Sequence, residues 1–121
     1  MCVFGCGGDR DPEKRPKMGE AVGRSADFAI VTNDNPRSED PRAIADAVEH
    51  GLRVAGASYE VELDRGLAIE HAVLRAAPGD VVLVAGKGHE LYQIVGQQQR
   101  RFDDRVHARR ALARRRERLG R

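Results

Sequence analysis

The chain has 121 residues, of which 40% are hydrophobic and 33% charged, and its formal net charge is +2. This length suits one domain, and this composition is that of a folded globular protein rather than a disordered one. No apolar run approaches the roughly 20 residues that a membrane-spanning helix requires. The two cysteines, Cys2 and Cys6, form no CxxC pair, so we expect buried thiols rather than a metal or redox motif.

Short apolar runs alternate along the chain with stretches of helical periodicity. The runs that predict strands are CVF, DFAIVT, YEVELD and VVLVAG. The stretches that predict helices are KMGEAVGRSA, SEDPRAIADAVEHGLRVA and RGLAIEHAVLRAA, the second capped by Ser38 or Asp40. This alternation predicts an α/β fold with a mostly parallel, Rossmann-like sheet and flanking helices. Because VVLVAG is continuously apolar, we expect that strand to be covered on both faces.

Residues 91–121 predict a small C-terminal hairpin and a terminal basic helix. The hairpin is expected in LYQIVGQQQRRFD, with its turn at Gly96. Between Asp103 and Arg121 the chain then has eight arginines and three acidic residues. The favoured interpretation is an amphipathic helix that packs through Val106, Leu112 and Leu119 and leaves its arginines in solvent. The alternative is a small basic module that binds nucleic-acid phosphates through these arginines.

Three polar loops follow predicted strands, with the sequences GCGGDRD, NDNPR and GKGHE. The carboxyl ends of parallel strands lie at one edge of a sheet, so we expect these loops to meet. Arg10 and Arg37 suit a carboxylate or phosphate, whereas Asp34 and Glu90 suit an ammonium group. Together they predict a pocket for a zwitterion such as an amino acid. The alternative is a capping turn held by an ion pair between Asp34 and Arg37.

The glycine-rich segments match neither of two common nucleotide-binding motifs. After Gly5 and Gly7, the third position of a GxGxxG fingerprint is Arg10, which argues against a dinucleotide-binding domain. The chain contains no GxxxxGK[ST] motif, so a self-contained nucleoside triphosphatase is not predicted.

Four segments, VFGCGGDRDPEKRPKM, VTNDNPRSEDPRAI, VVLVAGKGHELYQIVG and FDDR, resemble in order and spacing the C-terminal domain of the Mur ligases. The Asp-Asn-Pro-Arg form is similar to the type that adds meso-diaminopimelate. The resemblance implies an amino-acid-binding domain over residues 1–108 and an arginine-rich extension over 109–121. The residues that it implies in contact with meso-diaminopimelate are Arg10, Asp34, Asn35, Pro36, Arg37, Gly86 and Glu90. It also implies that Lys14 and Arg15 face nucleotide phosphates.

The same resemblance implies a larger enzyme. Mur ligases of this type work in the cytoplasm on peptidoglycan precursors, and they use ATP and Mg²⁺ to activate a UDP-muramoyl dipeptide through an acyl-phosphate. Their ATP site, carbamylated lysine and magnesium ligands belong to other domains. We therefore expect no catalytic or metal-binding residue in this chain, and no activity of the chain alone. We also expect that it lacks an N-terminal segment of the family domain, so that part of its sheet is uncovered.

Overall fold

The computed structural model describes residues 1–120, which form two small sheets and four helices. In chain order the elements are β1 (Cys2–Phe4), α1 (Lys14–Ser25), β2 (Ala29–Val31), α2 (Pro41–Val54), β3 (Tyr59–Val61), α3 (Arg65–Arg75), β4 (Leu83–Val84), β5 (Tyr92–Val95), β6 (Gln98–Arg101) and α4 (Asp104–Arg118). Strands β1 to β4 form a parallel sheet in the order β3-β2-β1-β4, and β5 and β6 form an antiparallel hairpin. The predicted α/β class, parallel sheet, hairpin and terminal helix are therefore confirmed.

Helices cover both faces of the parallel sheet. Alternate residues of a strand point to opposite faces. Cys2, Phe4 and Val31 accordingly pack with α2 and its neighbour α1, while Val3 and Ile30 pack with α3 and α4. These two apolar layers fix the sheet between the helix pairs, so that the loops at its carboxyl edge start from rigid positions.

Aspartates define the starts of three helices. The carboxylates of Asp40, Asp64 and Asp103 accept hydrogen bonds from free N–H groups of α2, α3 and α4. Of the two predicted caps for α2, Asp40 therefore takes the role. Ser38 instead donates from its hydroxyl to Asp9.

The expectation that VVLVAG is covered on both faces is wrong. Strand β4 is two residues long and lies at the edge of the sheet, where it pairs only with β1. Val81 and Leu83 remain 77% and 58% exposed. A continuous apolar run does not distinguish a central strand from an edge strand, because that depends on which neighbours the chain supplies.

The packing face of α4 also differs from the predicted one. Leu112 and Leu119 are half exposed, whereas Ala111 is buried against α3. Small side chains let the two helices approach closely, and leucines at the contact would hold them apart. Among the helices of residues 1–120, none is both long enough and apolar enough to cross a lipid bilayer.

Candidate functional site

The loops after β1 and β2 pack backbone against backbone. A Cβ placed on Gly8 would lie 1.8 Å from Pro36 O, and one on Gly5 would lie 2.0 Å from Thr32 O. Only glycine permits such an approach. The Gly8 N–H donates to Asn35 O at 2.7 Å. The glycines of the first loop thus bring it into direct contact with the Asp-Asn-Pro-Arg turn.

The side chains of Arg10 and Arg37 both approach Gly7. A Cβ placed on Gly7 would be 2.9 Å from Arg37 Nη1 and 3.6 Å from Arg10 Cγ. Arg37 Nη1 donates to Gly8 O at 2.9 Å, and Arg10 is exposed. The structure therefore brings together the two arginines that the sequence places 27 positions apart.

The two acids of the predicted site share a third cation. Lys87 Nζ lies 3.3 Å from Asp34 Oδ1 and 3.9 Å from Glu90 Oε2. Gly86, with φ of 110°, passes close to Asp34, since a Cβ there would be 3.8 Å from Asp34 Oδ2. The loop after β4 therefore joins the other two loops at the same edge of the sheet, and its Glu90 side chain is half exposed.

Asn35 and Pro36 are buried within the turn. Asn35 Oδ1 accepts hydrogen bonds from Lys87 Nζ and from Ile94 N. Arg37 N donates to Ile94 O at 3.1 Å, which attaches the turn to the hairpin. Among the ion pairs of residues 1–120, Asp34 pairs with Lys87 and not with Arg37, so the alternative of a turn held by its own Asp-Arg pair is wrong.

The two residues expected to face nucleotide phosphates differ in environment. Lys14 is exposed at the start of α1. Arg15 is buried, and its guanidinium pairs with Glu39 and donates to Gly7 O. In this structure the Arg15 side chain thus links the first two loops, and a contact with phosphate stays a prediction for both residues.

A second set of hydrogen bonds fastens the loop that carries Arg10 to the loop that carries Arg37. The Asp9 carboxylate accepts from the Ser38 hydroxyl at 2.6 Å, which, with the Ser38 N–H, lowers the pKa of Asp9. Hydrogen bonds from Arg15 and from the Asp9 N–H lower the pKa of Glu39. Both carboxylates are therefore held in the charged form that makes these bonds.

The sequence reasoning missed two buried cations. The Lys87 side chain has no solvent exposure. The sequence feature that could have pointed to Lys87 is its position inside the Gly-Lys-Gly-His-Glu motif. Arg65 is also fully buried, and it donates to Asn33 O, to Ala85 O and to both oxygens of Asp104. A charged residue at a helix start is ordinarily exposed, so the sequence carried no signal for Arg65.

Two arginines of α4 attach this helix to α3. They are among the arginines that would contact phosphates if the chain were a nucleic-acid-binding module. Arg114 pairs with Glu70, and Arg115 Nη1 donates to Val73 O at 3.0 Å and also to Ala76 O. These contacts account for part of the basic character of α4 within the fold. The nucleic-acid alternative is not supported.

The family model described as "Mur ligase, glutamate ligase domain" matches residues 1–88. The chain belongs to this family. The resemblance of its loop motifs to Mur ligases is therefore confirmed.

Three curated relatives of this Mur ligase chain carry the same name, UDP-N-acetylmuramoyl-L-alanyl-D-glutamate–2,6-diaminopimelate ligase. The protein of Synechococcus elongatus is 57% identical over 95% of this chain and 23% of its own length. That of Gloeobacter violaceus is 54% identical over 98% of this chain and 24% of its own length, so this similarity extends past residue 108. That of Bacillus cereus is 50% identical over 92% of this chain and 22% of its own length.

A solved structure titled as the same ligase matches this Mur ligase domain with a TM-score of 0.88 and 43% sequence identity. The match covers 93% of this chain and 23% of that chain. The chain thus spans about a quarter of the length of the relatives that it matches. Helix α4 runs without interruption through residues 108 and 109, and the boundary between a domain and an extension there stays a prediction.

Proposed function

We propose that this chain is the amino-acid-binding part of a Mur ligase that adds meso-diaminopimelate to UDP-N-acetylmuramoyl-L-alanyl-D-glutamate in peptidoglycan precursor synthesis. The names of its relatives support the reaction. The observation that carries the substrate assignment is the meeting of three loops, which places Arg10 and Arg37 together and Asp34 and Glu90 around one lysine.

The charges of this site suit one amino-acid end of diaminopimelate. Guanidinium groups bind carboxylates through paired hydrogen bonds, and carboxylates bind an ammonium group. Arg10 and Arg37 would hold the carboxylate, while Asp34 and Glu90 would hold the ammonium. The peptide bond forms at the other amino group, so this domain would contribute to the rate by orienting that amine rather than by chemistry of its own.

The remaining components of the reaction belong, by the family resemblance, to other domains. ATP, held with Mg²⁺, supplies the activation of the muramoyl dipeptide carboxyl group. Of the two residues that the resemblance assigns to nucleotide phosphates, the exposed Lys14 is the better placed, because Arg15 is engaged with Glu39. We place the enzyme in the cytoplasm, where nucleotide-linked precursors are made. We expect this chain alone to bind the amino acid without joining it to the dipeptide.

The proposal is tested by following amide resonances of the 121-residue chain during titration with meso-diaminopimelate or with 1,5-diaminopentane. 1,5-Diaminopentane has both ammonium groups of meso-diaminopimelate and neither carboxylate, so its affinity should be at least about tenfold lower. Arg37→Ala should remove this preference, since it deletes one of the two guanidinium groups. Arg42→Ala is the matched control, because Arg42 is an exposed arginine on α2. Equal affinity of the unaltered chain for both ligands would contradict the proposal.

A further inference from the structure

Lys87 places a charged group inside the junction of two loops and the hairpin. Its ammonium donates to Asn35 Oδ1 at 3.0 Å and to Tyr92 O at 2.8 Å, and it lies 3.3 Å from Asp34 Oδ1. The first two of these contacts are hydrogen bonds and the third is an ion pair, and the Lys87 side chain has no solvent exposure. Such a buried cation remains charged only when it is paired and hydrogen-bonded. Lys87 therefore binds groups inside the protein and does not bind a ligand directly.

The contact with Lys87 determines which hydrogen-bonding group of the Asn35 side chain remains available to a ligand. Asn35 Oδ1 accepts from Lys87 Nζ and, at 2.9 Å, from Ile94 N, which uses both of its lone pairs. Asn35 Nδ2 donates to no other side chain or backbone group among residues 1–120. In residues 1–120, the fully buried side-chain atoms without a hydrogen-bond partner are Arg15 Nε, Thr32 Oγ1 and Asp34 Oδ1. Asn35 Nδ2 is not one of these atoms, so it is not completely enclosed by the protein. The open capacity of Asn35 is thus an N–H group, which binds a carboxylate and not an ammonium.

Lys87 also changes the charge of the acidic half of the site. Asp34 has Lys87 as a buried partner, whereas Glu90 lies farther from it and is half exposed. Two carboxylates and one ammonium leave one unmatched negative charge. This half of the site therefore suits one ammonium group rather than two.

We propose that Lys87 is a positioning residue of the diaminopimelate site, which turns the Asn35 amide so that its N–H groups face the ligand carboxylate. This inference rests on the proposed function. It specifies that the Asn35 side chain, which can otherwise donate or accept, presents its N–H groups to the ligand. Recognition of the carboxylate then depends on Lys87, a residue that does not contact the ligand.

Two substitutions whose side chains match each other in length distinguish the effect of the Lys87 hydrogen bond from the effect of packing. Lys87→Met fills the cavity without a donor, and Lys87→Gln keeps a donor without the charge. In amide-resonance titrations of the 121-residue chain, Lys87→Met should weaken binding of meso-diaminopimelate about tenfold, as expected for one hydrogen bond involving a charged group. Binding of 1,5-diaminopentane, which has no carboxylate, should change less than about twofold. Lys87→Gln should recover much of the preference for meso-diaminopimelate.

Asn35→Asp provides an independent variant. It keeps the oxygen that Lys87 and Ile94 contact and replaces the open N–H group by a second oxygen, so the fold should persist while the preference for meso-diaminopimelate is lost. If Lys87→Met weakens both ligands equally, Lys87 is only structural and the proposal is overturned. If Lys87→Met does not fold, Asn35→Asp decides, and a retained preference overturns the proposal. Absence of any preference in the unaltered chain overturns the proposed function itself and this inference with it.

Discussion

Arg65 offers the sharpest test of how the site is held together. Its side chain has no solvent exposure and binds the Asp104 carboxylate through Nε at 2.7 Å and Nη2 at 2.8 Å. Its remaining bonds go to Asn33 O at 3.0 Å and Ala85 O at 3.1 Å. These carbonyls directly precede Asp34 and Gly86, so one guanidinium connects two loops of the candidate site to the start of α4.

Arg65→Met removes this guanidinium and keeps an unbranched apolar side chain in its place. Asp104 is then a buried carboxylate without its cation, and two carbonyl groups lose their donor. Removing one partner of a buried ion pair costs about 3–5 kcal/mol. A domain of this size has a free energy of unfolding of about 5–15 kcal/mol, so a large fraction of the stability should disappear.

Urea unfolding of the 121-residue chain, followed by circular dichroism, measures this change. The matched control is Arg42→Met on α2, because Arg42 is half exposed and pairs with the exposed Asp46 and with Glu49, which keeps Arg53 and Tyr59 as partners. Its loss should change stability by less than about 1 kcal/mol. The double substitution Arg65→Met with Asp104→Leu should lower the stability by less than the sum of the single changes, because no buried charge remains unpaired. If Arg65→Met and Arg42→Met lower the free energy of unfolding equally, the reasoning is wrong.

Two further predictions concern titratable groups near the loops. The pKa of Asp9 is lowered mainly by the bond from Ser38, so this stabilisation is complete above the usual pKa and disappears as the pH falls through the lowered value. Stability measured by urea unfolding should therefore decrease from about pH 5 to about pH 3, and less steeply in Ser38→Ala; identical slopes would contradict this. Burial raises the pKa of Cys6 to about 11 from 9.0, which lowers its thiolate fraction about a hundredfold near neutral pH. Iodoacetamide should therefore modify Cys6 far more slowly in the native chain than in urea, and equal rates would refute the burial argument.

The fold was largely predictable because its signals are local. Apolar runs alternating with helical spacing predict a parallel sheet, and a capping residue at Ser38 or Asp40 followed by Pro41 predicts the start of α2. The edge position of β4 was not predictable, since a run such as VVLVAG is equally apolar in a central or an edge strand. The packing of α4 through Ala111 rather than Leu112 depends on the space that α3 leaves, which its own sequence does not encode.

The candidate site was predictable at the level of its loops and not at the level of its buried charges. Parallel strands end at one edge, so Arg10 and Arg37 were expected to meet. Lys87 and Arg65 were missed because burial of a cation depends on partners far away in sequence. Arg65 finds its carboxylate 39 positions later, and Lys87 finds the Asn35 side chain 52 positions earlier.

Backbone strain points to the same loop junction. Asp9 and Arg37 are the non-glycine residues of positive φ in residues 1–120, at 54° and 53°. This conformation is uncommon for residues other than glycine, and costs about 1–2 kcal/mol for most L-residues. Glycine would adopt it without strain, so the side chains must provide the compensation. Asp9 does so by binding Ser38, and Arg37 by donating from its guanidinium to Gly8 O. The strained residues thus lie where the loop that carries Arg10 meets the loop that carries Arg37.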